Sequence, residues 1–305
     1  MVLAGSNLDG FMLRQASTRA VLALVVAAFV YGATFVVIKS ALADIGPLSY
    51  VAWRYVIGAA VLLVVALPKG RDIWIQGSIT GLALCVGYLL QTSGLAVTSA
   101  SNSALITGLY VVFTPILAAL FKWRAPSPWM TGAAVAAFIG IFLLTGTDGL
   151  ALGRGDLLTV GCAVVFALHI IALARWAPAH PVVPFTAVQL TVTAVLAFPL
   201  AVVVEGGGFP ASSVWGALVL TGLGVAIGAF LLQVWAQTVL GPSTAAVILA
   251  AEPAFAVATA WVVLGERLDG AGWAGTALIV VAIFLVVTRQ EDRASLRAEA
   301  VTPAH

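Results

Sequence analysis

Residues 20–38 read AVLALVVAAFVYGATFVVI, a run without one charged, amide or proline side chain. About 20 such residues cross a hydrocarbon core of roughly 30 Å as a helix. Arg14 and Arg19 before the run, and Ala41-Leu42-Ala43 after it, resemble the flanks of a cleavable signal. The apolar core of a signal peptide is only about 7 to 15 residues long, however, and here further hydrophobic segments follow directly. The run is read as a retained first membrane span.

Working outward, the same texture continues to the end of the chain. Of 305 residues 62% are hydrophobic and 9% charged, with a mean hydropathy of +1.12, whereas a soluble domain carries roughly 25% charged residues. The length allows about ten crossings joined by short loops and leaves no room for a soluble domain. A net charge of +2, with no cluster of Lys and Arg, excludes a nucleic-acid partner. Cys85 and Cys162 lie in apolar runs without Cys-x-x-Cys spacing or neighbouring His, so they read as packing residues. Neither a metal nor a cofactor is called for.

The expected spans are 20–43, 47–67, 73–96, 99–122, 127–146, 156–176, 182–204, 213–237, 242–264 and 271–288. Pro47, Pro68, Pro126, Pro128, Pro178, Pro181, Pro210, Pro242 and Gly206-Gly207-Gly208 fall at the junctions, where a missing N–H or a free φ costs least. Asp156 reads as the N-cap of the sixth span.

Positively charged loops are retained in the cytoplasm. With the N-terminus inside, Arg14, Arg19, Lys69, Arg71, Lys122, Arg124, Arg175, Arg289, Arg293 and Arg297 are all cytoplasmic, and only Arg154 and Arg267 fall in outer loops. Both termini are therefore placed in the cytoplasm, including the polar tail 289–305.

A shift of 142 residues lays Leu89-Leu90-Gln91 on Leu231-Leu232-Gln233, Ala104 on Ala246, Phe113 on Phe255 and Ile141-Phe142-Leu143 on Ile283-Phe284-Leu285, without a gap. The chain thus divides into repeats at 20–146 and 156–288. Each holds five spans, an odd number, so the second must enter the membrane from the opposite side. The expected architecture is an all-α membrane protein of ten transmembrane helices, two inverted five-helix repeats around a central cavity. Such repeats can expose one cavity to either side in turn.

Polar groups inside the spans point to that cavity, because hydrocarbon leaves them unsatisfied. At helical spacing Tyr31, Phe35 and Lys39 share a face, as do Tyr50 with Arg54, Tyr88 with Gln91, Asn102 with Tyr110, and Phe230 with Gln233 and Gln237. The candidate substrate-binding residues are Tyr50, Arg54, Tyr88, Gln91, Asn102, Tyr110, Gln233 and Glu252. Amides beside aromatic rings suit an amphoteric solute with an apolar side chain, and they equally suit interhelical hydrogen bonding. Arg54 fits a carboxylate, or a lipid head group reached by snorkelling.

Lys39, His169 and Glu252 are candidate proton or charge sites. Lys39 is open to snorkelling, and His169 to a neutral, backbone-bonded role. Glu252, followed by Pro253, suits an ammonium group, a proton, or a carbonyl freed by the proline.

Enzyme chemistry finds no constellation. Gly153-Arg154-Gly155-Asp156 fits the Gly-x-Gly-Asp pattern of intramembrane aspartyl proteases, but no second aspartate falls within a span.

Gly32-Ala33-Thr34-Phe35 with Lys39, Trp53-Arg54, Glu252-Pro253 and Leu264-Gly265-Glu266-Arg267-Leu268 resemble the drug/metabolite transporter superfamily, in its ten-helix branch of two EamA-type repeats. The resemblance spans roughly residues 20–288. It implies an exporter of metabolites and toxic compounds in the bacterial inner membrane with both termini cytoplasmic. It further implies small solutes as substrates, most closely those of the broad-specificity exporters of aromatic amino acids. Lys122-Trp123-Arg124 departs from the Gly-Glu-Arg expected in the first repeat. The alternatives are export of drugs, nucleotide sugars or other metabolites, and, from another class, a non-transporting scaffold or receptor with a sealed core.

Overall fold

The computed structural model describes residues 2–121, 127–145, 153–264 and 270–301, with side chains for 15–100, 103–121, 127–143, 153–259, 261–263, 270–285 and 288. The loop motifs at 122–124 and 265–268, and Asp148, lie outside the described residues. Among the described residues the long regular elements are all helices: α1 (Val2–Ala41), α2 (Pro47–Val65), α3 (Arg71–Val97), α4 (Ala100–Thr107), α5 (Tyr110–Leu120), α6 (Pro128–Thr145), α7 (Arg154–Trp176), α8 (Val182–Glu205), α9 (Trp215–Val219), α10 (Phe230–Gln237), α11 (Pro242–Leu249), α12 (Glu252–Leu264) and α13 (Gly270–Val301). Among the described residues eight stretches are long and apolar enough to cross a membrane, and Pro128–Leu143 and Gly270–Leu285 are shorter apolar helices.

The bundle is apolar outside, and its amides and its Arg54 are buried within an otherwise apolar core. Val64, Val203 and Val262 are 89%, 82% and 75% exposed, whereas Arg54, Gln189 and Gln237 are at 1%, 0% and 1%. That inversion suits lipid, which solvates Val freely and offers no hydrogen bonds to an amide. The protein is a multi-pass membrane protein. Because lipid gives no hydrophobic drive between helices, packing depends on close approach. Gly94 of α3 and Gly155 of α7 lie against each other: a Cβ on Gly94 would stand 2.7 Å from the Gly155 carbonyl oxygen, and one on Gly155 would stand 2.8 Å from that of Gly94.

Two expected spans prove discontinuous. The chain from 99 to 122 is α4 and α5 separated by Gly108-Leu109, and that from 242 to 264 is α11 and α12 separated by Ala250-Ala251. At the first break Leu109 N–H bonds back only to Ile106, and at the second Ala251 N–H bonds only to Ile248, the tighter three-residue step. Pro253 has no N–H to return to the Leu249 carbonyl, and Gly108 lacks the Cβ that would stiffen the first break. Tyr110 and Glu252, the first residues of α5 and α12, are separated by the same 142 residues as the sequence repeat.

A third departure lies between α9 and α10, where Leu220–Ala229 is a π-helix rather than part of a continuous α-helix. Its glycines include Gly222, where a Cβ would stand 3.2 Å from the Arg54 carbonyl oxygen, so this wider coil lies directly on α2.

One end of the bundle is clasped by polar contacts between segments far apart in sequence. The Glu205 carboxylate, at the C-terminus of α8, accepts from the N–H groups of Leu48 and Ser49 at 2.9 and 2.8 Å and from Ser49 Oγ at 2.6 Å. It thereby caps α2 from another helix. Ser213 Oγ donates to Asp44 at 2.8 Å, and Thr98 Oγ1 donates to Asp156 at 2.8 Å. Asp156 is not the N-cap that its position suggested. Gly153 holds that place, and Asp156 reaches back from the third position of α7 to accept Gly153 N–H at 2.9 Å.

Candidate functional site: a polar cavity at the helix breaks

Where the two breaks meet, a cavity opens among α1, α2, α3, α5, α7, the π-helix, α10, α11 and α12. Tyr31, Thr34, Arg54, Tyr88, Gln91, Tyr110, His169, Gln233 and Glu252 supply its polar lining, and Phe35, Phe166, Val225, Phe230 and Leu249 are among the apolar residues. Its free volume is about 40 Å³, room for about three water molecules. Loading a solute therefore requires the lining to move apart.

One hydrogen-bond chain crosses this lining in a fixed direction. Gln237 Nε2 donates to the Ile170 carbonyl at 2.8 Å, which orients its amide and leaves Oε1 to accept from Gln233 Nε2 at 3.2 Å. Gln233 Oε1 then accepts from the Tyr31 hydroxyl at 2.7 Å. Each member polarises the next, and Tyr31 keeps its oxygen lone pairs for the cavity. His169 is set by similar logic. Gln189 Nε2 donates to the Phe185 carbonyl at 3.2 Å, so its Oε1 faces His169 Nε2 at 3.1 Å and that ring nitrogen carries the hydrogen.

Across the cavity Tyr110 donates to Glu252 Oε2 at 3.3 Å, so the first residues of the two interrupted halves meet. Gln91 Nε2 donates to Thr107 Oγ1 at 3.2 Å, which ties α3 to the last residue before the first break.

Arg54 is different. Its guanidinium carbon lies 4.6 Å from the ring centre of Tyr88 and 5.3 Å from that of Tyr55. The two rings offer partial compensation for a charge taken out of water. Among the described residues its Nε and Nη2 have no hydrogen-bond partner.

Of the residues singled out from sequence, Arg54, Tyr88, Gln91, Tyr110, Gln233, His169 and Glu252 are brought together on the cavity. Tyr50 shares α2 with Arg54, but its hydroxyl lies 2.8 Å from Thr221 Oγ1 of the π-helix, and it is absent from the lining. Lys39 turns to the end of α3, where its ammonium donates to the carbonyls of Leu95, Ala96 and Thr98 at 2.8, 3.1 and 2.8 Å. It neither snorkels nor reaches the cavity, because these carbonyls are the unpaired acceptors of a helix C-terminus. Asn102 lies in α4, and its side chain is outside the described residues.

Sequence reasoning passed over Tyr55, Phe166, Thr107 and Glu205. The first two are aromatics in apolar runs, whose role shows only when Arg54 and Tyr88 are placed beside them; Tyr88 and Phe166 lie 5.0 Å apart, centre to centre. Among the described residues no group of three or more His, Cys, Asp or Glu is placed to hold a metal ion.

The chain matches the EamA-like transporter family over residues 18–146 and again over 153–288. It is 31% identical over 268 residues to an uncharacterized transporter of Archaeoglobus fulgidus, covering 88% of this chain and 85% of that protein. A solved crystal structure of a protein superposes with a TM-score of 0.74 at 22% identity, covering 90% of this chain and 98% of the other, which speaks for the fold alone.

Proposed function

The chain belongs to the EamA-like transporter family, and from that premise we propose that it exports small organic solutes, foremost amino acids including aromatic ones, by alternating access. The family and the archaeal relative make it a membrane transporter. The substrate reading is carried by the cavity, whose lining brings Gln91, Gln233, Glu252 and Arg54 together with the rings of Tyr31, Tyr88 and Phe166. Polar groups of both signs beside ring surfaces match a solute with an amphoteric end and an apolar side chain.

The mechanism proposed is a ten-span bundle of two inverted repeats whose interrupted helices flank the site. The equal offset of the two breaks supports it, since interrupted helices at corresponding positions of two halves mark the binding site in such carriers. Discontinuous helices can also pivot at their breaks with few hydrogen bonds to sever. The charge pattern supports a cell-membrane location with both termini in the cytoplasm, and the resemblance of the motifs supports a bacterial inner membrane. Drugs, nucleotide sugars or other metabolites are the alternative cargo.

Purified protein in liposomes should exchange labelled phenylalanine or threonine. If loaded vesicles hold every amino acid as well as protein-free vesicles do, the amino-acid assignment falls. Nucleotide sugars and cationic drugs are then the next substrates to assay.

A further inference from the structure

Arg54 presents a problem that no neighbour solves. It is 1% exposed and lines the cavity, and its two donors without partners are Nε and Nη2. These two nitrogens form one edge of the guanidinium, the edge whose parallel N–H bonds match the two oxygens of a carboxylate. Glu252, the carboxylate in the same lining, accepts from Tyr110. The rings of Tyr88 and Tyr55, 5.4 Å apart, meet the cation together from neighbouring directions rather than from opposite faces, and neither pairs with that edge.

A buried cation with an unmet bidentate edge is costly as a purely structural feature, since leaving such donors unpaired is penalised more than pairing them is rewarded. We propose that this edge receives the carboxylate of the transported solute, so that the cavity accepts zwitterions and carboxylic acids and rejects amines that lack a carboxylate. The inference rests on the transport reading above and narrows it: Arg54 selects by charge, and the amides and rings of the cavity accommodate the remainder. It separates amino acids from the cationic drugs that the same lining of amides and rings would otherwise admit.

The test needs no flux. Phenylglyoxal forms adducts with free guanidinium groups, and mass spectrometry of the purified full-length chain reads the adduct on the Arg54 peptide. The expected result is that Arg54 is labelled without solute. Saturating phenylalanine, threonine or 3-phenylpropionate should slow that labelling about tenfold or more, whereas phenethylamine should leave it unchanged. Omitting chloride, with sucrose added to hold the osmolarity, should make no difference.

Four results would overturn the assignment: no adduct on Arg54 when Arg19 is labelled, protection by none of the carboxylates, equal protection by phenethylamine, or protection by chloride alone. The last would assign the edge to an inorganic anion. In the variant Arg54→Gln, affinity for phenylalanine should fall at least about thirtyfold, with Arg54→Lys intermediate because it keeps charge and loses the fork. Protection by carboxylates in a protein that moves none of them would sink the exporter reading and leave the carboxylate seat standing.

Discussion

Glu205 offers the sharpest perturbation of the clasped end. It stands at the C-terminus of its own helix, where the α8 dipole disfavours a negative charge, yet it accepts three hydrogen bonds at the N-terminus of α2. Its energetic value therefore lies in joining the two helices. Losing a side-chain cap costs about 0.5 to 2 kcal/mol, and removing a negative charge from a helix N-terminus costs about 0.3 to 1 kcal/mol. Glu205→Ala should thus weaken the closed end by about 2 kcal/mol, close to a thirtyfold change in population if this contact exists only when the end is shut. Thr34 is a suitable reporter because it lines the cavity and its hydroxyl bonds only to the carbonyls of Val30 and Tyr31 in its own helix. Cys85 and Cys162 are buried and give little background. In a Thr34→Cys protein, a membrane-impermeant thiol reagent added from the clasped side should react about thirtyfold faster once Glu205 is Ala. A rate within about threefold of the parent, in protein that still folds, would refute the view that this carboxylate holds the end closed.

Three further outcomes follow from the same geometry. Cysteines placed at Gln91 and Gln233 should react with a water-soluble thiol reagent and one at Tyr50 should not, since Tyr50 packs on Thr221 away from the cavity; uniform protection at all three would argue for a sealed scaffold. Glu252→Gln preserves an acceptor for Tyr110 and removes the ionisable group, so any pH dependence of flux should vanish, and an unchanged profile in liposomes would exclude Glu252 as the proton site. Gly94→Leu would drive a side chain into the Gly155 carbonyl, and overpacking of that kind costs about 1 to 3 kcal/mol or more, visible as a lower melting temperature in detergent; an unshifted transition would show that α3 and α7 are less closely packed than the structure places them.

The apolar runs were legible because lipid demands long uninterrupted hydrophobic segments, and Pro and Gly sit where those segments end. The helix breaks were not, because Gly108-Leu109 and Ala250-Ala251 are as apolar as the helices they interrupt and hydropathy passes over them unchanged. Missing the first break also made Asn102 and Tyr110 look like one continuous face. The π-helix escaped for a related reason: its glycines and aliphatic residues are ordinary helix occupants in a membrane. Arg54 and Glu252 stood out because ionisable groups are rare inside spans. Spacing along one helix cannot say which neighbour a side chain meets, so Tyr50 read like Arg54, and Lys39 read as exposed until the end of α3 was in place. Glu205 gave no signal, because a lone glutamate at the end of a span is usually just a loop residue.

The seat of Lys39 constrains how the chain is assembled. Its three carbonyl partners belong to residues 56 to 59 positions further along, so when the ribosome has delivered only the first two hydrophobic segments the ammonium has nothing of its own to hold. Water or a lipid phosphate must serve until α3 is threaded. Seating Lys39 is therefore finished by a later segment, and in a truncation that ends before residue 95 its ammonium should react faster with a water-soluble amine reagent than in the full chain.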